Sequence, residues 1–167
     1  MIVIGVDPGT ARLGYGVIEK VKGKRMKLIE SETLITTPKL DTQNRLNFLY
    51  NRLSEVVIKH KPDVMVIEKL FFNTNVKTAM SVGQARGIIM LVAAKKKLKI
   101  YEYTALQAKK CLTGYGRADK KEMQKAVMER LGLKKIVKSD DANDGVAMAL
   151  CFVEKDFDPL SKDKNEN

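Results

Sequence analysis

The sequence predicts a single α/β domain built on a mixed five-stranded sheet that is flanked by helices. Three segments rich in β-branched and aromatic residues come first, joined by short turns, which is typical of an antiparallel meander. Strand and helix patterns then alternate in the middle of the chain, which is typical of parallel strands joined by helices. The chain has 167 residues and 44% hydrophobic content, which is enough for one continuous core.

The first three strands form the predicted meander. Their predicted bounds are residues 2–6, 14–21 and 26–36. The first strand ends at Asp7-Pro8-Gly9-Thr10, whose proline and glycine favour a tight turn. Residues 22–24 contain a further glycine and separate the second strand from the third.

The rest of the chain supplies the helices and two more strands. Apolar residues recur at helical spacing in residues 41–61 and Pro62 follows, which predicts an amphipathic helix. Residues 63–67 are almost continuously apolar and predict a buried strand of the parallel type, ending at Glu68. The remaining predicted elements are a helix over 76–97, a strand over 99–103, a short helix after Thr104, the loop Gly114-Tyr115-Gly116, and helices over 119–131 and 140–153.

We expect one folded domain over residues 1–153 and a flexible polar tail over residues 154–167. The tail contains five acids and three bases with few apolar side chains, so it adds little to a core. Cys111 and Cys151 lie in apolar or helical stretches, which predicts buried thiols and neither a disulfide nor a thiolate metal site. His60 is predicted to be a surface residue and not a catalyst.

The charge of the chain favours a polyanionic partner. Lys and Arg number 31 against 20 Asp and Glu, and the net charge of +11 attracts nucleic acid over long distances. A basic protein without such a partner is the alternative, because net charge reports on association and not on chemistry. The sequence has no stretch of the roughly 20 apolar residues that a membrane span requires and no leader pattern. We therefore expect no membrane contact and a cytoplasmic location.

Four carboxylates lie where buried elements begin or end. Asp7 follows the first predicted strand and Glu68 the fourth, whereas Asp141 and Asp144 lie three residues apart on one face of the last helix. Carboxylate oxygens are the ligands that Mg²⁺ and Mn²⁺ prefer. Two such ions roughly 3.5 to 4 Å apart activate water and stabilise the leaving oxygen of a phosphodiester. The pattern therefore favours metal-dependent phosphodiester hydrolysis.

Each of these acids also has an ordinary explanation. Asp7 is a typical Asp-Pro turn residue, and Glu68 fits the solvated end of a strand. Asp140 and Asp141 follow Ser139, a good N-cap, and an acid in the first turn of a helix is stabilised by the helix dipole. Asp140 is turned away from Asp141 and is the acid that we least expect at a metal.

Five segments resemble the RuvC family of Holliday-junction resolvases in order and spacing. They are residues 4–10 (IGVDPGT), 14–18 (GYGVI), 66–68 (VIE), 83–87 (GQARG) and 141–144 (DAND). The resemblance runs from about residue 2 to residue 153. It implies an RNase H-like fold, a homodimer, and Mg²⁺-dependent paired nicking of opposed strands at four-way junction DNA, in recombination and repair.

The resemblance also implies the roles of individual residues. The acidic tetrad of the family falls on Asp7, Glu68, Asp141 and Asp144, which are expected to hold two Mg²⁺ ions, with Mn²⁺ as an alternative. Some family members have a histidine in the third position. Asp141 occupies that position here, so this chain has no imidazole in that role. The expected DNA-binding residues are Phe71, which matches a base-stacking phenylalanine, and the basic residues Lys109 and Lys120. The branch-migration proteins RuvA and RuvB are expected partners.

Several neighbouring residues keep two explanations. Packing in the core is the alternative to base stacking for the two phenylalanines, and it is stronger for Phe72 than for Phe71. The basic cluster that surrounds the loop at 114–116 fits phosphate binding, although charge runs are usually solvated faces, as we expect for residues 95–97. Gly83 and Gly87 fit either a dimer interface or close packing on the protein's own sheet. The role of Arg86 stays open.

Three other functions compete with junction cleavage. Residues 5–10 also resemble the phosphate-contacting turn of actin-like and sugar-kinase-like phosphotransferases, but the chain lacks the length and the second glycine-rich turn for another lobe. A junction-binding protein that has lost catalysis is the second alternative. A nuclease of the same fold that cuts RNA or other DNA structures is the third.

Overall fold

The computed structural model describes residues 1–69 and 76–155. All predicted elements are present in it, with ends that differ from the predicted ones by at most two residues. The strands are β1 (Ile2–Asp7), β2 (Arg12–Glu19), β3 (Lys27–Ile35), β4 (Val64–Glu68) and β5 (Lys99–Tyr103). The helices are α1 (Thr42–His60), α2 (Val76–Lys95), α3 (Ala105–Thr113), α4 (Lys120–Leu131) and α5 (Asp140–Lys155).

The strands form one mixed sheet in the order β3-β2-β1-β4-β5. The first three strands pair in an antiparallel meander, and β1, β4 and β5 run parallel to one another. The predicted mixed five-stranded sheet is therefore confirmed. The order places β1 beside β4, so the carboxyl ends of these two strands meet at the same edge of the sheet.

Two apolar cores lie on opposite faces of the sheet. Side chains alternate between them along each strand, as the pleat of a strand requires. Val64 and Val66 of β4 pack with α3, α4 and α5, whereas Met65 and Ile67 pack with α1 and α2. This two-sided burial explains why residues 64–67 are continuously apolar. The domain is consequently a sandwich of helices, sheet and helices.

Helix α5 lies unusually close to strands β1 and β2, along a line of glycines that we call the glycine seam: Gly5, Gly14, Gly16 and Gly145. A Cβ atom at Gly14 would lie 1.9 Å from the carbonyl oxygen of Asp141, and one at Gly5 would lie 2.1 Å from that of Gly145. Such distances are far inside van der Waals contact, so no side chain fits there. The seam fixes the height of the first turns of α5 above the sheet.

Three details of the polar and thiol side chains differ from the sequence predictions. The side chain of His60 is only 10% exposed, and its Nε2 lies 3.0 Å from Glu30 Oε2, so the surface prediction is wrong. Cys151 is buried as predicted, but Cys111 is only partly buried. Helix α5 continues to Lys155, and Glu154 pairs with Arg130, so two residues assigned to the tail belong to the helix.

None of the helices in the described ranges has the length and apolar character of a bilayer span.

Candidate active site

The site begins at the carboxyl ends of β1 and β4. Val6 pairs with Ile67 in the parallel ladder, so the next residue of each strand, Asp7 and Glu68, lies at the same level of the sheet edge. Their carboxyl groups are close enough to interact, and this interaction adds to the effect of burial in raising the pKa of Asp7 and opposes the effect of burial on the pKa of Glu68. Two acids 61 positions apart in the chain thus share one site, as expected for parallel neighbours in the sheet.

The glycine seam brings the first turns of α5 to the same edge. Asp141 and Asp144 are both partly buried there. Asp144 and Glu68 line a small cavity of about 50 Å³, whereas Asp141 and Asp7 line a wider opening of about 300 Å³. Asp7 at the opening interacts with Glu68 at the cavity. The structure therefore brings all four predicted acids into one neighbourhood.

Charge is strongly disfavoured within this cluster. Burial, together with the negative charges of Glu68, Asp144 and Asp141, raises the pKa of Asp7 far above its ordinary value. Burial also raises the pKa of Glu68, and it raises that of Asp144 to about 6, with Glu68, Asp140 and Asp141 acting in the same direction. Near neutral pH it is therefore unfavourable for all of these carboxyl groups to be ionised at the same time.

The donor set fits a divalent cation. It consists of carboxylate oxygens, which are hard ligands, and the crowded negative charge is what a bound cation neutralises. As the side chains stand, no three acidic, imidazole or thiol groups within residues 1–69 and 76–155 already surround a common ion position. Two contacts engage these side chains: the carboxyl group of Asp7 interacts with that of Glu68, and Asp141 accepts a hydrogen bond from Arg12.

Sequence comparison identifies the family of this site. The family model of crossover junction endodeoxyribonuclease RuvC matches residues 3–152. The crossover junction endodeoxyribonuclease RuvC of Caldicellulosiruptor saccharolyticus is 46% identical over 153 residues, which cover 92% of either chain. That of Halothermothrix orenii is 46% identical over 151 residues, or 90% of this chain and 91% of the relative. The chain belongs to the RuvC family.

Solved RuvC structures have the same fold. The structure of Thermus thermophilus RuvC matches with a TM-score of 0.82 at 31% identity, covering 92% of this chain and 93% of that one. T. thermophilus RuvC in complex with Holliday junction substrate matches with a TM-score of 0.87 at 30% identity over the same shares. The predicted RNase H-like fold of this RuvC-family chain is confirmed.

Two basic residues support the carboxylates of the RuvC-family site. Lys109 of α3 lines the cavity with Glu68 and Asp144, and its charge lowers the pKa of both acids, in opposition to burial. Arg86 of α2 donates from Nη1 to the carbonyl oxygen of Glu68 at 3.0 Å and forms an ion pair with Glu102. The sequence left the role of Arg86 open. The structure shows that Arg86 connects the end of β4 to α2 and to Glu102 of β5.

The remaining predicted site residues line neither the cavity nor the opening, or they lie outside the described residues. Lys120 is 79% exposed at the start of α4, and its Nζ donates to Asp140 Oδ2 at 2.7 Å. Gln124 also donates to Asp140, so the acid that we least expected at a metal is engaged by α4. The predicted base-stacking residue Phe71, like Phe72, lies outside the described residues.

Sequence reasoning missed two contributions to the site. Arg12 donates to one of the tetrad acids, and no spacing pattern singled it out. The glycine seam was partly visible as the segment GYG at 14–16, but its partner Gly145 carried no distinguishing pattern. A glycine on a buried strand often marks a close backbone approach, which was the available clue.

Proposed function

We propose that this protein is a metal-dependent endonuclease that resolves Holliday junctions by nicking opposed strands. The observation that carries the proposal is the convergence of Asp7, Glu68 and Asp144, three acids from distant parts of the chain, at one sheet edge. Family membership supports the same activity, since the matched relatives are named crossover junction endodeoxyribonucleases and one solved relative holds Holliday junction substrate.

The four carboxylates, Asp7, Glu68, Asp141 and Asp144, are the residues that would hold the metal. Mg²⁺, with two ions per site, is the expected occupant and Mn²⁺ the alternative; when bound, it supplies an activated water and charge neutralisation. In the family-based division, Asp7 would be shared between the two ion positions. Asp7 lines the wider opening and interacts with Glu68, which lines the cavity, and this arrangement supports that division.

The chain's own groups position the phosphodiester and govern the charge around it. Hydrolysis forms a bond between the water oxygen and phosphorus and breaks the bond from phosphorus to O3′, which leaves 5′-phosphate and 3′-hydroxyl ends. Lys109 lies beside Glu68 and Asp144, where its ammonium group attracts the phosphate. Lys120 is exposed enough to contact the backbone of a neighbouring arm after exchange from Asp140.

A homodimer would provide the second nick. Helix α2 supports it: Gly83 and Gly87 are exposed, and within residues 1–69 and 76–155 no atom lies within 4 Å of a Cβ at either position. Packing on the protein's own sheet therefore does not explain these glycines. Met80, Met90 and Leu91 of the same helix are exposed by 69%, 45% and 45%. An isologous contact through this face would set two active sites in opposed orientation.

Three parts of the proposal extend beyond the site. Phe71 is proposed to stack on a base near the cut, an interaction worth about 1 to 3 kcal/mol. RuvA and RuvB are proposed partners through family membership. A cytoplasmic location is proposed because junction DNA is the substrate.

The test of catalysis is the substitution Asp7→Asn, with Asp140→Asn as the matched control. We expect Asp7→Asn to abolish Mg²⁺-dependent cleavage of a synthetic four-way junction while leaving junction binding intact. Asp140→Asn should retain cleavage, since the side chain of Asp140 is engaged by Lys120 and Gln124 and lines neither the cavity nor the opening. Retained cutting by Asp7→Asn would reject the assignment of the site.

Comparison of substrates separates the competing functions. We expect faster cleavage of the four-way junction than of a duplex or an RNA-DNA hybrid. Binding without cleavage by the wild-type protein would favour a junction-binding protein that lacks catalysis. Preferential cleavage of the hybrid would favour a different nuclease of the same fold, and thermal stabilisation by ATP would favour a phosphotransferase.

A further inference from the structure

An ion pair between Arg12 and Asp141 lies at the entrance of the site. Arg12 Nε donates to Asp141 Oδ2 at 2.7 Å. Arg12 is the first residue of β2 and Asp141 lies in the first turn of α5, and the glycine seam brings these two ends together through Gly14. The contact therefore results directly from the packing that builds the site.

This ion pair involves a carboxylate that the proposed metal also needs. A guanidinium group and a divalent cation both bind carboxylate oxygens, and each excludes the other from the same lone pairs. The carboxyl groups of Asp7 and Glu68 interact with each other, and Asp144 lines the cavity of about 50 Å³. Asp141 is thus the member of the tetrad that is held by a basic residue.

The other end of the Arg12 side chain is available to a ligand. Its side chain is 52% exposed, against 25% for that of Asp141. Its two terminal nitrogens make no hydrogen bond to any residue in the described ranges. Arg12 also lines the opening of about 300 Å³ beside Asp7. Arginine binds phosphate through paired nitrogens, so a DNA phosphate that enters this opening competes with Asp141 for the guanidinium.

We propose that Arg12 is a positioning residue that withholds Asp141 from the metal until a DNA phosphate takes over its guanidinium group. This proposal rests on the proposed nuclease function. Its consequence is a coupling between two ligands, because DNA releases a carboxylate for the metal and the metal releases a guanidinium for DNA. Without DNA, the site binds metal weakly.

A simple charge effect has to be separated from this exchange. Removal of any positive charge near the acids strengthens cation binding, and Lys109 shows that charges reach the cluster without a direct bond. A double-mutant cycle isolates the direct contact, because a long-range charge effect of Arg12 persists when Asp141 is neutral. The cycle uses Arg12→Gln, Asp141→Asn and the double variant.

The first arm measures Mn²⁺ binding to the DNA-free protein by calorimetry. We expect Arg12→Gln to tighten Mn²⁺ binding by about three- to fivefold, the size of a partly exposed ion pair. In the Asp141→Asn background the same substitution should change the affinity by less than about twofold. An equal effect in both backgrounds, or weaker binding by Arg12→Gln, would overturn the proposal. Circular dichroism verifies that the variants fold.

The second arm measures four-way junction binding in EDTA, where no cleavage occurs. Arg12→Gln should weaken binding more strongly in the Asp141→Asn background, in which the guanidinium is free, than in the wild-type background. Equal weakening in the two backgrounds would overturn the role of DNA in the exchange. A wild-type protein that binds neither Mn²⁺ nor junction would reject the nuclease function itself. If the wild type binds Mn²⁺ and the junction normally but neither cycle shows coupling, only the proposed role of Arg12 would be rejected.

Discussion

The glycines of the seam and the glycines of α2 are the same residue type in opposite surroundings. A Cβ at Gly14 would lie 1.9 Å from the backbone of α5, whereas none of the described residues has an atom within 4 Å of a Cβ at Gly83 or Gly87. In the seam, the missing side chain is required by contacts within the chain. On α2, no contact among the described residues requires it, which is consistent with the proposed dimer interface.

The largest expected effect follows from filling the seam. Gly14→Ala places a methyl group on the carbonyl of Asp141, and backbone on both sides leaves no flexible atom to move. We expect a loss of about 3 kcal/mol in the free energy of unfolding, at the upper end of overpacking effects. Urea denaturation measures it. Cleavage should fall as well, because α5 carries Asp141 and Asp144.

The matched control for this prediction is Gly83→Ala. The methyl group meets open space, and alanine favours a helix by up to about 1 kcal/mol over glycine. The folding stability of the chain should therefore stay level or rise, measured at protein concentrations where no dimer forms. A loss as large as that of Gly14→Ala would remove the distinction between the two sets of glycines.

An intermediate effect is expected at the proposed dimer face. Gly87→Leu keeps the helix but inserts a large side chain where a second α2 would pack. We expect the dimer dissociation constant to rise by about tenfold or more, a change of about 1.4 kcal/mol. Sedimentation velocity measures it. A dimer of unchanged affinity would mean that the exposed apolar side chains of α2 serve another purpose.

The sequence predicted the elements better than their mutual arrangement. The strand ends at Asp7 and Glu68 were visible because an apolar run stops at an acid in both places. That β1 and β4 are neighbours follows from the strand order, which depends on tertiary packing and leaves no mark in either segment. Spacing alone placed Asp141 and Asp144 on one helix face, and the family resemblance supplied the convergence of all four acids.

Contacts between distant segments account for what sequence reasoning missed. Arg12 and Asp141 are 129 positions apart, and neither segment has a periodicity that indicates the other. His60 has the position of a typical surface residue, at a polar helix end before Lys61, yet Glu30 of β3 covers it. The partner of a polar side chain is decided by how helices lie on the sheet, and local pattern does not encode that.

The smallest expected effect concerns the pKa of Asp7 and the pH dependence of folding stability that follows from it. Burial raises the pKa of Asp7 above the ordinary 3.8 in the folded state, and the nearby carboxylates of Glu68, Asp144 and Asp141 act in the same direction. The folded protein therefore holds a proton that the unfolded chain releases, and this contribution to stability is full below about pH 4 and is lost as pH rises. Asp7→Asn removes the titrating carboxyl group, and the amide that replaces it can still donate a hydrogen bond to Glu68.

In EDTA at pH 8 we expect this variant to be more stable than the wild type by about 1 kcal/mol, which raises the melting temperature by roughly 2 to 4 °C. The difference should shrink toward pH 4, and Mg²⁺ should reverse it by stabilising only the wild type. Lower stability of Asp7→Asn at pH 8 would mean that folding does not raise the pKa of Asp7. The glycine seam would then determine the positions of the acids without destabilising their charged forms.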